Sequence, residues 1–379
     1  MAAAHLQIGF VRRGYSASGG AEAYLKRLAQ GVCAAGNAAQ LFTTAEWPED
    51  EWPFGRIMRV AGESPLRFAD EVEKLRVAGA CDILMSLERV WRCDVFRAGD
   101  GVHRAWLERR AQFSSPLQRF AQQVSGKHRA ILQLEEALLR KGGAARVIAN
   151  SRMVQEEIAA TYGYPAARIE VVPNGVPVEQ FRTSFTRREA TRQQLQLSAE
   201  EIAVLFVGSG WERKGLRFAI EAVARCEDPR LRLLVAGRGN ESKYGGASPA
   251  VRFLGVARDL PALYAAADLF LLPTIYDPFS NACLEALAAG LPVITTRANG
   301  FAEIITDGVH GSMIAAPDNV KATAEALRFW SGAEHRLTTR PQRLELAARY
   351  DISVNVARTL EILLQAASAA STSGKIRNT

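Results

Sequence analysis

Residues 276–295 read YDPFSNACLEALAAGLPVIT. Two carboxylates, Asp277 and Glu285, flank a Pro-Phe-Ser-Asn turn and lead into a small-residue run of helical character. On one continuous helix they would lie about 12 Å apart at roughly 1.5 Å per residue. That is too far for the carboxylate pair of a retaining glycosidase, which sits roughly 5–5.5 Å apart. The spacing suits two ends of one hydroxyl-rich ligand, because carboxylates accept from pairs of hydroxyls. Ser280 and Asn281 are good capping residues, and a helix starting there, beside Phe279, would offer its first amides to a phosphate or a polyol. The plainer alternative makes Asp277 a helix-approach residue and Glu285 a solvated helix acid.

A second group of candidates lies in VGSGWERKG, where Arg213 and Lys214 follow an apolar run. Adjacent cations at a strand's carboxyl end suit a diphosphate, arginine by its fork of donors and lysine as a point charge. A solvated basic turn is the alternative. The stretch is neither a Walker loop nor a G-x-G-x-x-G fingerprint. Gly19 and Gly20, before a helix predicted over Ala21–Gln30, could bring bare amides to a phosphate, or form a plain tight turn. Asp100 and His103, in DVFRAGDGVH, are candidates to face a reacting hydroxyl; a core-edge aspartate beside a surface histidine is the competing account. The five histidines are scattered and no two aspartates are separated by one residue, so no metal site and no cofactor are expected.

Such residues need a frame. HLQIGFV, then RRGYSASGG, then AEAYLKRLAQGVCAAG make one strand-loop-helix unit. AQLFTTA, CDILMSL, DVFRAGD and ARVIANS continue the alternation. After the Pro- and Asn-Gly-bearing connector IEVVPNGVPVEQF, a second series follows: IAVLFVGSG, LRLLVAG, VRFLG, LFLLPT and LPVITT. Strands alternating with helices imply parallel sheets covered by helices, here two Rossmann-like halves of an α/β protein. The expected division is 1–172 as an N-terminal domain, 173–348 as a C-terminal domain, 349–368 as a terminal helix crossing back to the first domain, and 369–379 as a disordered tail.

The chain's 379 residues and 48% hydrophobic content can fill more than one core. Five cysteines form no CxxC pair and the N-terminus lacks a secretory pattern, so a cytoplasmic setting is expected. No apolar run approaches the roughly 18–20 residues that span a bilayer. The net charge of +7 concentrates in residues 102–152, where ten Lys and Arg stand against three Glu. Within 104–141, Trp106, Phe113, Leu117, Phe120 and Val124 recur at intervals of three, four or seven between arginines. An apolar stripe with basic shoulders describes an interfacial helix on anionic lipid, or a helix packed on its own domain with a solvated basic face. A nucleic-acid partner is not expected, for want of a recognition helix or an RNA-binding aromatic motif.

The combined pattern AADLFLLPTIYDPFSNACLEALAAGLPVITT, preceded by VPNG and VGSGWERKG and followed by NGFAEIITDGVHG, resembles the family 4 retaining glycosyltransferases. The resemblance implies a GT-B fold, two Rossmann-like domains facing each other across a cleft. It implies that Asp277 takes the place of the acid, usually glutamate, that contacts the transferred sugar, and that Glu285 takes the place of the ribose-binding glutamate. Arg213 and Lys214 would hold the donor diphosphate, without the arginine that the family often has where Ser209 stands. Gly19 and Gly20 match the family's N-terminal Gly-Gly loop, and the loop at Arg238 is where such enzymes hold the base.

GGAEAYLKRLA, DVFRAGDGVH and the basic segment also resemble bacterial lipopolysaccharide-core glucosyltransferases. That likeness implies UDP-glucose as donor, a lipid-linked glycan bearing heptose as acceptor, and a peripheral position on the inner face of the cytoplasmic membrane, docked through residues 104–141. The alternatives are the same fold with another nucleotide sugar or acceptor, a sugar-nucleotide epimerase or phosphorylase, and, more remotely, a nucleic-acid binder.

Overall fold

The computed structural model describes residues 5–16, 20–245 and 249–376. The chain divides into two compact units, one running to Pro173 and resuming at Ser353, the other spanning Asn174–Ile352. The return to the first unit comes four residues later than the sequence suggests. Residues 350–352 are held in the second unit: Val176 N–H donates to the Tyr350 carbonyl (3.1 Å) and Ile352 N–H to that of Val176 (3.0 Å).

The first unit carries seven parallel strands: β1 (Gln7–Val11), β2 (Ala38–Thr43), β3 (Ile57–Arg59), β4 (Ile83–Ser86), β5 (Cys93–Arg97), β6 (Ala144–Ala149) and β7 (Ile169–Val171). Their order is β3-β2-β1-β4-β5-β6-β7. Helix α1 (Gly20–Ala34) follows β1 and buries Tyr24, Leu25, Leu28 and Val32.

The basic segment is not one interfacial helix. It forms α2 (His103–Gln112), α3 (Pro116–Val124) and α4 (Gly126–Glu135), closed by a π-turn over Glu136–Arg140. Proline at the first position of α3 has no N–H to lose there, and Ser115 caps it in a reciprocal box with Gln118. Ser125 caps α4 in turn. The aromatic stripe is therefore divided. Trp106 and Phe113 are half-buried, whereas Leu117, Phe120 and Val124 on α3 stand 78%, 62% and 54% exposed along one face.

The second unit carries six parallel strands: β8 (Ile202–Val207), β9 (Leu231–Ala236), β10 (Val251–Gly255), β11 (Leu269–Leu272), β12 (Val293–Thr296) and β13 (Gly311–Ile314), in the order β10-β9-β8-β11-β12-β13. Its helices include α5 (Arg188–Gln194), α6 (Leu260–Ala266), α7 (Asn281–Ala288), α8 (Val320–Ser331) and α9 (Arg340–Ala348). Every residue of β8, β11 and β12 is buried. Helices cover both faces of such a sheet, so its central strands read as continuous apolar runs and not as alternation.

In both sheets the strand order reverses about the first strand, β1 in one and β8 in the other. Ligands of open parallel sheets bind beyond the carboxyl ends of the strands flanking that switch point. In the second unit those ends are the loops after β8 and β11, which carry Arg213, Lys214 and Asp277.

Helix α10 (Ile352–Ile376) packs on α1 within the first unit. Tyr24 and Thr359 share a hydroxyl hydrogen bond (3.4 Å), and Asn355 donates to the Pro173 carbonyl (2.5 Å). Gly31 is required there, since a Cβ would come within 2.3 Å of Val356 Cγ1. The helix passes residue 369, where composition alone suggests an unstructured tail. Its alanine-rich turns propagate a helix already nucleated by packing.

Candidate active site

Three loops of the second unit are fastened to one another. Arg213 offers its carbonyl to both Thr274 Oγ1 (2.9 Å) and Ile275 N–H (2.9 Å), joining the loop after β8 to the loop after β11. Asp277 N–H donates to Ala298 O (2.9 Å), and Gly300 N–H donates to Asp277 O (2.9 Å), joining the loop after β11 to the one after β12. Gly215, at φ +77°, brings the first two loops so close that a Cβ would lie 1.9 Å from the Pro273 carbonyl. A side chain there is excluded by both conformation and space.

On this frame Lys214 Nζ forms an ion pair with Asp277 Oδ2. Both side chains are largely withdrawn from solvent, at 15% and 5% exposure. The pair satisfies two charges that would each be costly to bury alone. It also means that the cation expected to meet a diphosphate and the acid expected to meet a sugar are neighbours.

Helix α7 begins at Asn281, with Ser280 as its cap accepting from Cys283 N–H (3.4 Å). Asp277 therefore precedes the helix, and the separation of about 12 Å for a continuous helix does not apply. Asn299 orders the approach. Its Oδ1 accepts from Ser280 N–H (3.2 Å) and Phe301 N–H (3.1 Å), while Nδ2 donates to Thr295 Oγ1 (3.0 Å). Asn174 does the same from the connector, donating to Phe279 O (2.9 Å) and Asn281 Oδ1 (2.8 Å).

Phe279 is 3% exposed and packs between Phe301 and Tyr350, so its ring shapes the loop from within. Ser280 is 1% exposed and spends its hydroxyl on the cap.

Glu285 is half-buried on α7, which excludes a freely solvated helix acid. Its Oε2 accepts from the hydroxyl of Tyr264 (2.9 Å), a side chain with no solvent exposure. Burial, reinforced by Glu285, raises the Tyr264 phenol well above its ordinary range, so it stays a donor. One oxygen of Glu285 is thus oriented by a fixed phenol. Arg238 lies exposed after β9, its N–H donating to Ser209 Oγ (3.4 Å), so that the serine standing in for the family's arginine ties two loops together.

In the first unit, Gly20 opens α1; Gly19 lies outside the described residues. Arg12, after β1, pairs with Glu22 (3.1 Å) and Glu88 (2.8 Å), placing a charged cluster at that sheet's switch point. Asp100 is exposed after β5.

His103 is not a surface histidine. Its Nε2 lies 3.0 Å from Nδ1 of His128, so that nitrogen is engaged by a second imidazole. The backbone N–H of His103 donates to Glu135 Oε1 (2.8 Å). Glu135, 1% exposed, also takes Arg89 (2.9 Å), Tyr162 (2.6 Å) and Arg104 N–H (3.3 Å). A buried carboxylate thereby caps the positive end of α2, as the helix dipole favours. Burial, with Arg89 adding repulsion, pushes the His103 imidazole down to about 4.

Sequence reasoning passed over Tyr264, Asn174, Asn299 and Glu135. The two asparagines had a signal, each being the first residue of an Asn-Gly pair; the tyrosine and glutamate had none. Among the described residues no three His, Cys, Asp or Glu side chains group as a metal cage, and no helix is long and apolar enough to cross a membrane.

A pair of parallel α/β sheets with polar loops at each switch point is the arrangement of the GT-B fold. The family described as Glycosyl transferases group 1 matches residues 201–330, and Glycosyltransferase Family 4 matches residues 18–180. The chain thus resembles family 4 of the glycosyltransferases in both of its units. It is 26% identical to the lipopolysaccharide glucosyltransferase WaaG of Escherichia coli over 332 residues, 83% of this chain and 86% of that one. It is 32% identical to D-inositol 3-phosphate glycosyltransferase 2 of Catenulispora acidiphila over 58% of this chain, and 30% identical to the uncharacterized glycosyltransferase MJ1607 of Methanocaldococcus jannaschii over 47%. The chain spans about half the length of these last two relatives, 56% and 49%.

A crystal structure of WaaG matches with a TM-score of 0.79 at 23% identity, covering 94% of this chain and 99% of that one. Anabaena HepE in complex with UDP-glucose matches with a TM-score of 0.72 at 22% identity, covering 94% and 100%. At these identities the likeness shows the fold.

The half-buried position of His103 has a measurable consequence. Between its ordinary value of 6.5 and about 4, the unfolded chain takes up a proton that the folded chain refuses. Stability from this group is complete above about pH 6.5 and falls as the pH drops toward 4. Urea midpoints at pH 7 and pH 5 are expected to differ more for the wild type than for His103→Gln. Equal differences would contradict the placement.

Proposed function

We propose that the protein is a retaining glycosyltransferase that takes a hexose from a UDP-sugar, UDP-glucose first among them, and places it on a membrane-anchored glycan such as lipopolysaccharide-core heptose. The observation that carries the donor half is the juxtaposition of Lys214 with Asp277 at the sheet's switch point, with the oriented carboxylate of Glu285 on the helix that follows. Glu285 accepts from the ribose hydroxyls. Lys214 and Arg213 meet the diphosphate and offset the charge that develops on it as the glycosidic bond breaks, stabilisation that a fixed, water-poor site makes effective.

Asp277 exchanges its lysine for hydroxyls of the transferred sugar. Because Lys214 and Asp277 satisfy each other when no ligand is present, the site stays folded until the diphosphate competes for the lysine. Departure and attack then occur on one face of the sugar, the leaving phosphate oxygen taking the acceptor's hydroxyl proton. The protein's part is positioning and charge, with no covalent nucleophile required.

Support for the donor comes from HepE, a structural neighbour solved with UDP-glucose. Support for the acceptor comes from the similarity to WaaG over most of both chains. The membrane half rests on α3, whose exposed Leu117, Phe120 and Val124 stand among the cations of residues 104–141. An apolar face of that kind with basic shoulders binds the boundary of an anionic bilayer.

Titration calorimetry is expected to show UDP affinity at least about tenfold lower in Glu285→Ala and in Lys214→Ala, as hydrogen bonds to charged groups are worth roughly 1.5–3 kcal/mol. Asp277→Ala should lower transfer more than UDP affinity. Unchanged affinity in both of the first two variants would mean that the donor binds elsewhere.

The protein should sediment with phosphatidylglycerol vesicles and release at high salt, because the surface attraction is screened. Replacing Leu117, Phe120 and Val124 together by serine should abolish sedimentation. Equal sedimentation with neutral vesicles, or with the triple variant, would remove this part of the reading.

A further inference from the structure

At the amino ends of the second unit's strands, opposite the loops described above, three arginines meet on a single carboxylate and two more, Arg340 and Arg343, join the cluster without reaching it. Asp268, the residue before β11, takes Arg188 at 2.6 Å, Arg192 at 3.0 Å and Arg336 at 3.7 Å. Arg343 is 1% exposed and has only neutral acceptors, among them Gly290 O (2.8 Å), Val309 O (3.2 Å) and Thr339 Oγ1 (2.7 Å). Arg340 lies over the ring of Phe185 (4.4 Å) and reaches a single carbonyl, Ala289 O, at 3.5 Å. It has no carboxylate partner among the described residues.

Three helix C-termini converge on this cluster. The carbonyls of Ala265, Ala266 and Ala267 at the end of α6 take Arg188 and Arg192. Those of Ala289 and Gly290 beyond α7 take Arg340 and Arg343, and those of Trp330 and Ser331 at the end of α8 take Arg336. Each helix end supplies about half a negative charge. One aspartate and three such ends leave roughly two to three of the five positive charges without compensation.

That excess marks the individual groups. Burial and then the neighbouring arginines hold Arg340 below the ordinary arginine range, and Arg343 is pulled down to about 10. Arg336 is lowered too, even with Asp268 in reach. Structural capping accounts for Arg192 and Arg343, whose donors are taken up by fixed carbonyls, and in part for Arg188 and Arg336, which divide their donors between carbonyls and Asp268. It does not account for Arg340, which adds a charge and satisfies almost nothing.

We propose that Arg188, Arg336 and Arg340 form a second binding site, separate from the donor loops, for a small free anion of the phosphate or phosphomonoester type. A planar guanidinium fork matches such an anion, and a doubly charged ligand offsets the residual charge. The ligand would sit against the carboxyl end of α7, the helix whose first turns carry Ser280 and Glu285. The inference does not depend on the identity of the donor.

The test is thermal unfolding against inorganic phosphate and, separately, glycerol 3-phosphate, each compared with chloride at equal ionic strength, with and without saturating UDP. At tenfold the dissociation constant, a ligand of the native state should raise Tm by about 3–6 °C for a unit of this size. The rise should persist in UDP and in Lys214→Ala, vanish in Arg340→Gln and return in part in Arg340→Lys. Line broadening of the phosphate 31P signal by the wild type but not by Arg340→Gln gives a reading independent of unfolding. A rise with only one of the two ligands supports the site and decides between free phosphate and its esters. No rise beyond that of chloride, or a rise kept whole in Arg340→Gln, overturns the proposal; a rise confined to the state without UDP and lost in Lys214→Ala assigns the anion to the donor site and overturns it equally.

Discussion

The ion pair between Lys214 and Asp277 is the interaction on which the candidate site depends. It brings together residues far apart in sequence, and it does so only because three loops meet at one point. Gly215 lets the loop after β8 lie against Pro273, the carbonyl of Arg213 is shared by Thr274 and Ile275, and Asp277 is held at both its amide and its carbonyl. Each constraint is local and modest, but together they leave a largely buried lysine and a largely buried aspartate with no better partner than each other. A pair built this way can be opened by a ligand that replaces both contacts at once, which is what a diphosphate bearing a sugar would do.

Helix ends organise much of the rest. Ser280 caps α7 and fixes where Glu285 falls, while Tyr264 fixes how its carboxylate points. In the first unit the buried Glu135 caps α2 and is satisfied by Arg89, Tyr162 and two amides. That network anchors the start of the basic segment to the core, while α3 leaves its apolar residues exposed. The amino ends of the second sheet's strands gather helix carboxyl ends and answer them with arginines in excess. The loops after β8 and β11 and the arginine cluster thus occupy the two ends of the same strands, and α7 runs between them.

The strands and their alternation were legible because a sheet covered on both faces needs unbroken apolar runs, as in IAVLFV and LFLL. The positions of Lys214 and Asp277 beyond strand ends, and of Glu285 inside the helix that follows, accord with that frame. Their partners were not legible there. Tyr264 lies in LYAAADLF, where it reads as a core aromatic, and only the crossing of α6 and α7 places its hydroxyl on Glu285. Asn174 and Asn299 showed as turn residues, but their side-chain bonds join segments that only the fold brings together.

The break in the basic segment was written in Ser-Ser-Pro and was outweighed by the aromatic spacing. The reach of α10 was hidden because a Ser-, Thr- and Gly-bearing tail reads as coil until a packed helix extends into it. The arginines around Asp268 are scattered over α5 and the helices after β13, so no window of sequence shows them as a group.

The central claim is that the loops after β8, β11 and β12 make a site for a uridine diphosphate sugar. The most direct test is a thermal-shift comparison of UDP and UDP-glucose with GDP, ADP and their sugar conjugates, since a ligand bound only by the native state raises its stability in proportion to affinity. The account predicts a rise with UDP and with one UDP-sugar, larger than with any guanosine or adenosine counterpart. No rise with any nucleotide would contradict it.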